Sequence, residues 1–308
     1  SLREHDAAHP LFALPAPLGE LEVIAASRIP YRGVLVVLMD SGEPGDCRAQ
    51  AAATALRCGG YTHTRVLAGG LAAWRAKGVL FTGWGTPWKA FGEHVAESEG
   101  TAMMEPEEVL LARGAGEGKA VILDARTIGE YHTMRLPGGV HCGGGAELVY
   151  RLCALDAGPD TVVVVNCAGR TRSIIGAQTL ISCKVPHRVV ACKNGTMGWK
   201  LAGLSSLLYG EGRTAVEAPR PAVGSPEEAN AQALARNMPG EARYVTVEEV
   251  VGFQREGHTV FIVYVGDRED FDLGLVPTLL ARRARAGQIL QALDVNVGAV
   301  YGAKVVLV

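Results

Sequence analysis

Apolar residues along this chain gather in short unbroken runs rather than in long stretches. "VLVVLMD" (34–40) and "TVVVVNC" (161–167) are two such runs, each followed by a helical segment rich in small or apolar residues. Continuous β-branched runs of this length, without polar alternation, predict strands buried on both faces. A second pair of segments also matches. "EPEEVLLARGAGEGKAVILDARTIGEY" (105–131) and "VTVEEVVGFQREGHTVFIVYVGDREDF" (245–271) each read as a helix, a strand and an acidic turn. Thr246 with Glu249 forms a capping box, and Pro106 suits the first turn of its helix. A third pair, "GGYTHTRVLAGGLAAWRAKG" (59–78) and "KVPHRVVACKNGTMGWKLAG" (184–203), shares a turn, a short strand, a glycine turn and a helix start bearing Trp74 or Trp199. Valine-rich strands alternating with helices predict an α/β fold whose mainly parallel sheets are flanked by helices.

The repetition divides the chain into three related modules, at 1–96, 97–214 and 243–308. Proline, glycine and acidic residues over 215–242 predict a linker with one short helix near 226–237. "WGTPWKAFGEHV" (84–95), with two tryptophans expected to be exposed, reads as a strap packing on the second module. The first module lacks a helix and strand ahead of "SLREHD", and the third stops at "GAKVVLV", where the second presents a cysteine loop. Both therefore read as incomplete, as in a fragment of a longer chain.

Composition narrows the function classes. The 308 residues suffice for two or three domains of about 100–150 residues. A net charge of −2 gives no electrostatic case for nucleic acid. Without an apolar run of about 18 residues or a basic-then-apolar N-terminus, neither a membrane span nor a signal peptide is predicted. Seven cysteines, an odd number without CxxC pairs or Cys/His metal spacing, fit free thiols in a reducing cytoplasm. No metal or other cofactor is called for: His141-Cys142 alone supplies too few ligands. Cys58, Cys153 and Cys183, among apolar neighbours, read as inert core thiols, and so by default does Cys192, with a resolving role as its alternative.

Cys167 differs from these. It ends a strand and opens "CAGRTRS", with a helix expected to begin near Ser173. A free thiol with a pKa of about 8.5 is only a few per cent ionised at neutral pH, so a nucleophilic cysteine needs help. A helix N-terminus favours an anion, Gly169 allows a tight curl of backbone N–H groups, and Arg170 and Arg172 add permanent positive charge. Asp124 and Arg126 read as a structural pair tying their strand to this loop.

These landmarks together resemble the rhodanese family of sulfurtransferases, in the tandem arrangement of bacterial thiosulfate sulfurtransferases. Asp124-Ala125-Arg126 with Glu130-Tyr131, Leu136-Pro137-Gly138-Gly139, the loop from Cys167 to Arg172, and Asn194-Gly195 with Trp199 carry the resemblance. Met134 and Arg135 depart from the family's usual Gly-His. The resemblance implies tandem rhodanese-like modules of which the second, 97–214, is catalytic. Fold-sharing phosphatases separate cysteine and arginine by five residues; here Cys167 and Arg172 are separated by four. The shorter ring suits a sulfane sulfur better than a phosphoryl group. The implied reaction takes sulfur from thiosulfate onto Cys167 as a persulfide and passes it to cyanide or a thiol. Arg172 and Arg170 would hold the donor's oxygens, the backbone of Ala168, Gly169 and Thr171 would line the loop, and Asp124, Arg126 and Ser173 would support it. The alternative is a persulfide carrier or a non-catalytic scaffold for a protein partner, with a phosphatase or arsenate reductase third. Homo-oligomerisation is left open. In the first module Asp40 falls in the cysteine slot and Cys47 lies too far along the loop, so that module reads as silent.

Overall fold

The valine run at 161–167 forms a buried strand: Val162–Asn166 occupies the middle of a five-stranded parallel sheet. The computed structural model describes residues 1–83, 85–114, 120–155, 157–210, 214–240, 243–265, 281–283 (backbone only) and 300–308. Trp84 and the acidic turn expected over 266–271 lie outside the described residues. The chain divides into two units, one from residues 1–87, 243–285 and 292–308, the other from 88–242 and 286–291.

In the first unit, α1 (Leu2–Ala7) and α2 (Leu21–Arg28) precede β1 (Val36–Leu38), α3 (Arg48–Cys58), β2 (Thr64–Val66) and α4 (Gly70–Arg75). β1 and β2 pair in parallel, and Leu21, Ala25, Ala52, Leu56 and Tyr61 form their core.

The second unit takes most of α5 (Thr86–Ser98) and then β3 (Met103–Met104), α6 (Pro106–Gly114), β4 (Ala120–Asp124), α7 (Ile128–Thr133), β5 (Met134–Arg135) and β6 (Gly139–His141). It continues through α8 (Ala146–Cys153), β7 (Val162–Asn166), α9 (Thr171–Ser182), β8 (Arg188–Cys192), α10 (Gly195–Leu201), β9 (Tyr209–Gly210) and α11 (Pro226–Ala235). The sheet order is β3-β8-β7-β4-β6, every pair parallel. Alternation along β7 sends successive side chains to opposite faces. Val163 and Val165 meet Ile174, Ala177 and Leu180 of α9 and Leu148 and Leu152 of α8. Val164 meets Val109 of α6 and Trp199 of α10. Both faces are thereby covered, which is why the run is apolar throughout.

In the remainder of the first unit, α12 (Val247–Arg255) starts at the expected Thr246–Glu249 capping box. It leads to β10 (Val260–Tyr264), which pairs in parallel with β11 (Ala281–Arg283) and β12 (Lys304–Leu307).

Two expectations need correction. The segment expected as a linker is docked on its unit: α11 packs its fully buried Ala231 into the core that holds α8, and Ala218 is buried too. Small residues among polar ones disguise this docking, because they bury with little apolar signal. Cys58 is exposed at the end of α3 and Cys153 is half-buried, so of the three thiols assigned to the core only Cys183 is buried. Trp74 is 40% exposed, its indole donating to Val79 O, whereas Trp199 is fully buried. Among the described residues no helix is long and apolar enough to cross a membrane.

Candidate active site

Cys167 follows β7 directly and is 1% exposed. Its position is set by backbone contacts with the next crossover. Cys167 O accepts from Thr196 N at 2.9 Å, and Ala168 O accepts from Met197 N at 3.0 Å. Arg170 O accepts from Ile174 N and from Ser173 Oγ. A trans peptide points its N–H opposite to its carbonyl. With these carbonyls drawn toward α10 and α9, the N–H groups of Ala168, Gly169 and Thr171 turn to the other side of the loop. Among the described residues no protein acceptor takes the N–H of Ala168, Gly169 or Arg170. Such a ring, beside the N-terminus of α9, favours an anion.

Two details differ from the sequence reading. α9 begins at Thr171 rather than near Ser173. Gly169 lies outside the left-handed region, and a Cβ there would meet nothing within 4 Å, so the curl does not depend on its being glycine. The glycine the loop needs is Gly195, at φ 52°, where a Cβ would collide with the Cys167 carbonyl. Glycine alone combines that backbone with that approach.

The Cys167 thiol donates to Ser173 Oγ at 3.5 Å, and Ser173 Oγ donates to Arg170 O at 2.8 Å. A rotation of that hydroxyl would let it donate to a thiolate instead.

Both loop arginines carry carboxylates. Arg172 donates to Glu130 Oε1 and Oε2 at 2.6 and 2.7 Å. Glu130 is doubly committed, because it also closes the capping box with Thr127 at the start of α7. Burial raises the Glu130 carboxyl, but the Arg172 guanidinium and the Thr127 hydrogen bonds outweigh it and hold the group at about 2. Arg170 donates to Glu93 of α5 at 2.5 and 2.7 Å and to Asn194 Oδ1 at 3.3 Å. Thr171, between the two arginines, packs against Gly92 of α5.

Below the loop, Arg126 donates to both Asp124 oxygens, at 2.8 and 2.7 Å, and to Met134 O. Asn166, the residue before Cys167, donates to Asp124 Oδ2 at 3.0 Å. The pair thus joins the end of β4 to the end of β7. Cys192 is buried, and that burial pushes its thiol up to about 12. Cys142 beside His141 is likewise pushed up by burial, and no group of three metal-ligating side chains occurs among the described residues.

The first unit repeats this backbone plan around Asp40. Leu71 N and Ala72 N donate to Asp40 O and Ser41 O, as Thr196 and Met197 do to Cys167 and Ala168. Gly69 and Gly70 have the positive φ of Asn194 and Gly195. Here the loop amides meet built-in anions: Gly42 N and Ala49 N donate to the Asp40 carboxylate, and Ser41 N to Asp46.

Sequence reasoning missed Glu93 and the role of Glu130 as partner of Arg172. Thr127-x-x-Glu130 signals a cap and not its second use. Nothing local marks Glu93, which lies 77 residues from Arg170.

Residues 107–202 match the family model described as "Rhodanese-like domain". A thiosulfate sulfurtransferase from Pseudomonas aeruginosa superposes with a TM-score of 0.87 at 39% identity, covering 99% of this chain and 56% of that one. The chain thus spans little more than half the length of that relative. A polysulfide-sulfur transferase from Wolinella succinogenes aligns at 18% identity and a TM-score of 0.32, over 38% of this chain and 85% of that one. SseA from Escherichia coli, from work on 3-mercaptopyruvate sulfotransferases, aligns at 17% and 0.26, over 67% and 87%. At such overlap neither bears on the argument. No curated protein matches the chain in sequence. With its parallel sheet, its cysteine loop and its match over 107–202, the chain belongs to the rhodanese family.

Proposed function

We propose that this chain transfers sulfane sulfur from thiosulfate to cyanide or a thiol through a persulfide on Cys167. The observation that carries the reading is the loop itself. Its carbonyls are drawn toward α9 and α10, which leaves its N–H groups, beside the start of α9, able to stabilise an anionic sulfur centre. The Cys167 thiolate attacks the outer sulfur of thiosulfate; the new S–S bond forms as the old one breaks, and sulfite departs with the bonding pair. Cyanide then attacks the outer sulfur of the persulfide, thiocyanate leaves, and the thiolate returns. Arg172 and Arg170 bind donor oxygens, the amides of Ala168 to Arg172 stabilise the persulfide, and Ser173, Asp124 and Arg126 hold the loop.

On this reading the family's module is repeated along the chain, with catalysis in the second and the Asp40 module silent. Incubation with thiosulfate followed by intact mass measurement tests it. A gain of one sulfur, lost on adding cyanide, is expected; an unchanged mass sinks the proposal. A persulfide that forms but turns over with protein thiols and not with cyanide would favour the carrier reading instead.

A further inference from the structure

Helix α5 lies outside the residues that match the family model, yet it touches the centre of the loop. Gly92 is buried there, and a Cβ on it would come within 2.9 to 3.2 Å of three Thr171 atoms. The helix therefore sits flush on the residue between the two arginines. The next residue, Glu93, places both carboxylate oxygens on the Arg170 guanidinium. The two loop carboxylates differ in kind. Glu130 is tied into its own helix cap as well as to Arg172. Glu93 caps nothing, and its side chain is 50% exposed. Cys167 itself is 1% exposed, so a donor reaches its sulfur only if something moves.

We propose that α5 gates Cys167, with Glu93 as an exchangeable carboxylate on Arg170 that an anionic sulfur donor displaces on binding. This rests on the sulfur-transfer reading of the site. A carboxylate and a sulfonyl-type oxygen pair offer a guanidinium similar planar acceptors, so the exchange swaps one bidentate pair for another. Exchange at a half-exposed pair costs little, because exposed ion pairs are weak. Val95 and Ala96, packed against the main core, anchor the C-terminal half of the helix. Gly83 and Gly85, with φ of 83° and 64°, precede its other end. Glu93 sits just ahead of that anchor, so swinging its side chain off Arg170, together with a lift of the turns before it, would uncover the loop without unfolding the core.

The test uses the full chain with two readouts: iodoacetamide labelling of Cys167, followed by peptide mass, and the thiosulfate concentration giving half-maximal sulfur uptake. Glu93→Gln should raise the Cys167 labelling rate and lower the half-saturating thiosulfate concentration, each roughly three- to tenfold. Gly92→Ala should raise labelling with Glu93 intact, by lifting the helix off Thr171. Glu97→Gln, exposed on the same helix, should behave as wild type. Wild-type labelling and saturation in Glu93→Gln overturn the gate even if Gly92→Ala proves unstable. Faster labelling in a chain that never takes up sulfur would leave the gate standing and remove the sulfur-transfer reading beneath it.

Discussion

Arg170 and Arg172 look alike in sequence and differ in setting. Arg172 is mostly buried between Glu130 and the loop, so its guanidinium is held in one place. Pre-positioned charge at an anionic centre contributes most to the transition state, because no reorganisation is needed. Arg172→Ala is therefore expected to lower kcat/KM with thiosulfate by about 2–3 kcal/mol, partly because Glu130 loses its partner. Arg170 is more exposed and is shared among Glu93, Asn194 and, on the proposal above, the donor. Arg170→Ala should cost about 1 kcal/mol or less and make donor capture more sensitive to salt. Steady-state kinetics at two ionic strengths measures both. A larger loss from Arg170→Ala would reverse the two roles.

Among elements, the turn from β8 into α10 governs the loop more than the loop governs itself. Asn194 and Gly195 both adopt left-handed backbone, which aims the first amides of α10 at Cys167 O and Ala168 O. Gly195→Ala combines a strained φ with a collision against backbone that has no room to retreat. A loss of about 2 kcal/mol or more in urea unfolding is expected, together with lost sulfur uptake. Gly169→Ala meets open space at an ordinary φ, so its stability should stay within about 0.5 kcal/mol of wild type. Equal stability losses in the two variants would contradict this division of labour. On this account the glycine inside the motif is structurally dispensable, and the one after the neighbouring strand β8 is not.

At the scale of the molecule, two loops share one backbone plan and differ in what fills them. Asp40 turns its carboxylate onto the amides of Gly42 and Ala49, satisfying donors that the Cys167 loop leaves open. A carboxylate accepts no sulfane sulfur and repels anionic donors. Thiosulfate treatment of Cys167→Ala should therefore add sulfur at none of the six remaining cysteines, Cys47 and Cys58 included although both are exposed. Peptide mass mapping checks this, and sulfur on Cys47 would give the Asp40 loop an activity.

Local chemistry made much of this legible beforehand. Strand runs such as 161–167 and helix starts such as Thr246 with Glu249 announce themselves, since burial on both faces and capping each demand particular side chains in neighbouring positions. A cysteine at a strand end beside two arginines was readable for the same reason. Tertiary structure alone decided the partners of those arginines, because Glu93 reaches Arg170 only once α5 has packed on Thr171. It also decided that Ala218 and Ala231 enter the core, with Leu234 packed beside them, although alanines carry almost no hydrophobic signal of their own. Which residues of one segment are close is set by covalent spacing. Which side chains meet across 77 residues is set by how the elements pack, and one chain's pattern of polar and apolar positions does not encode that pairing.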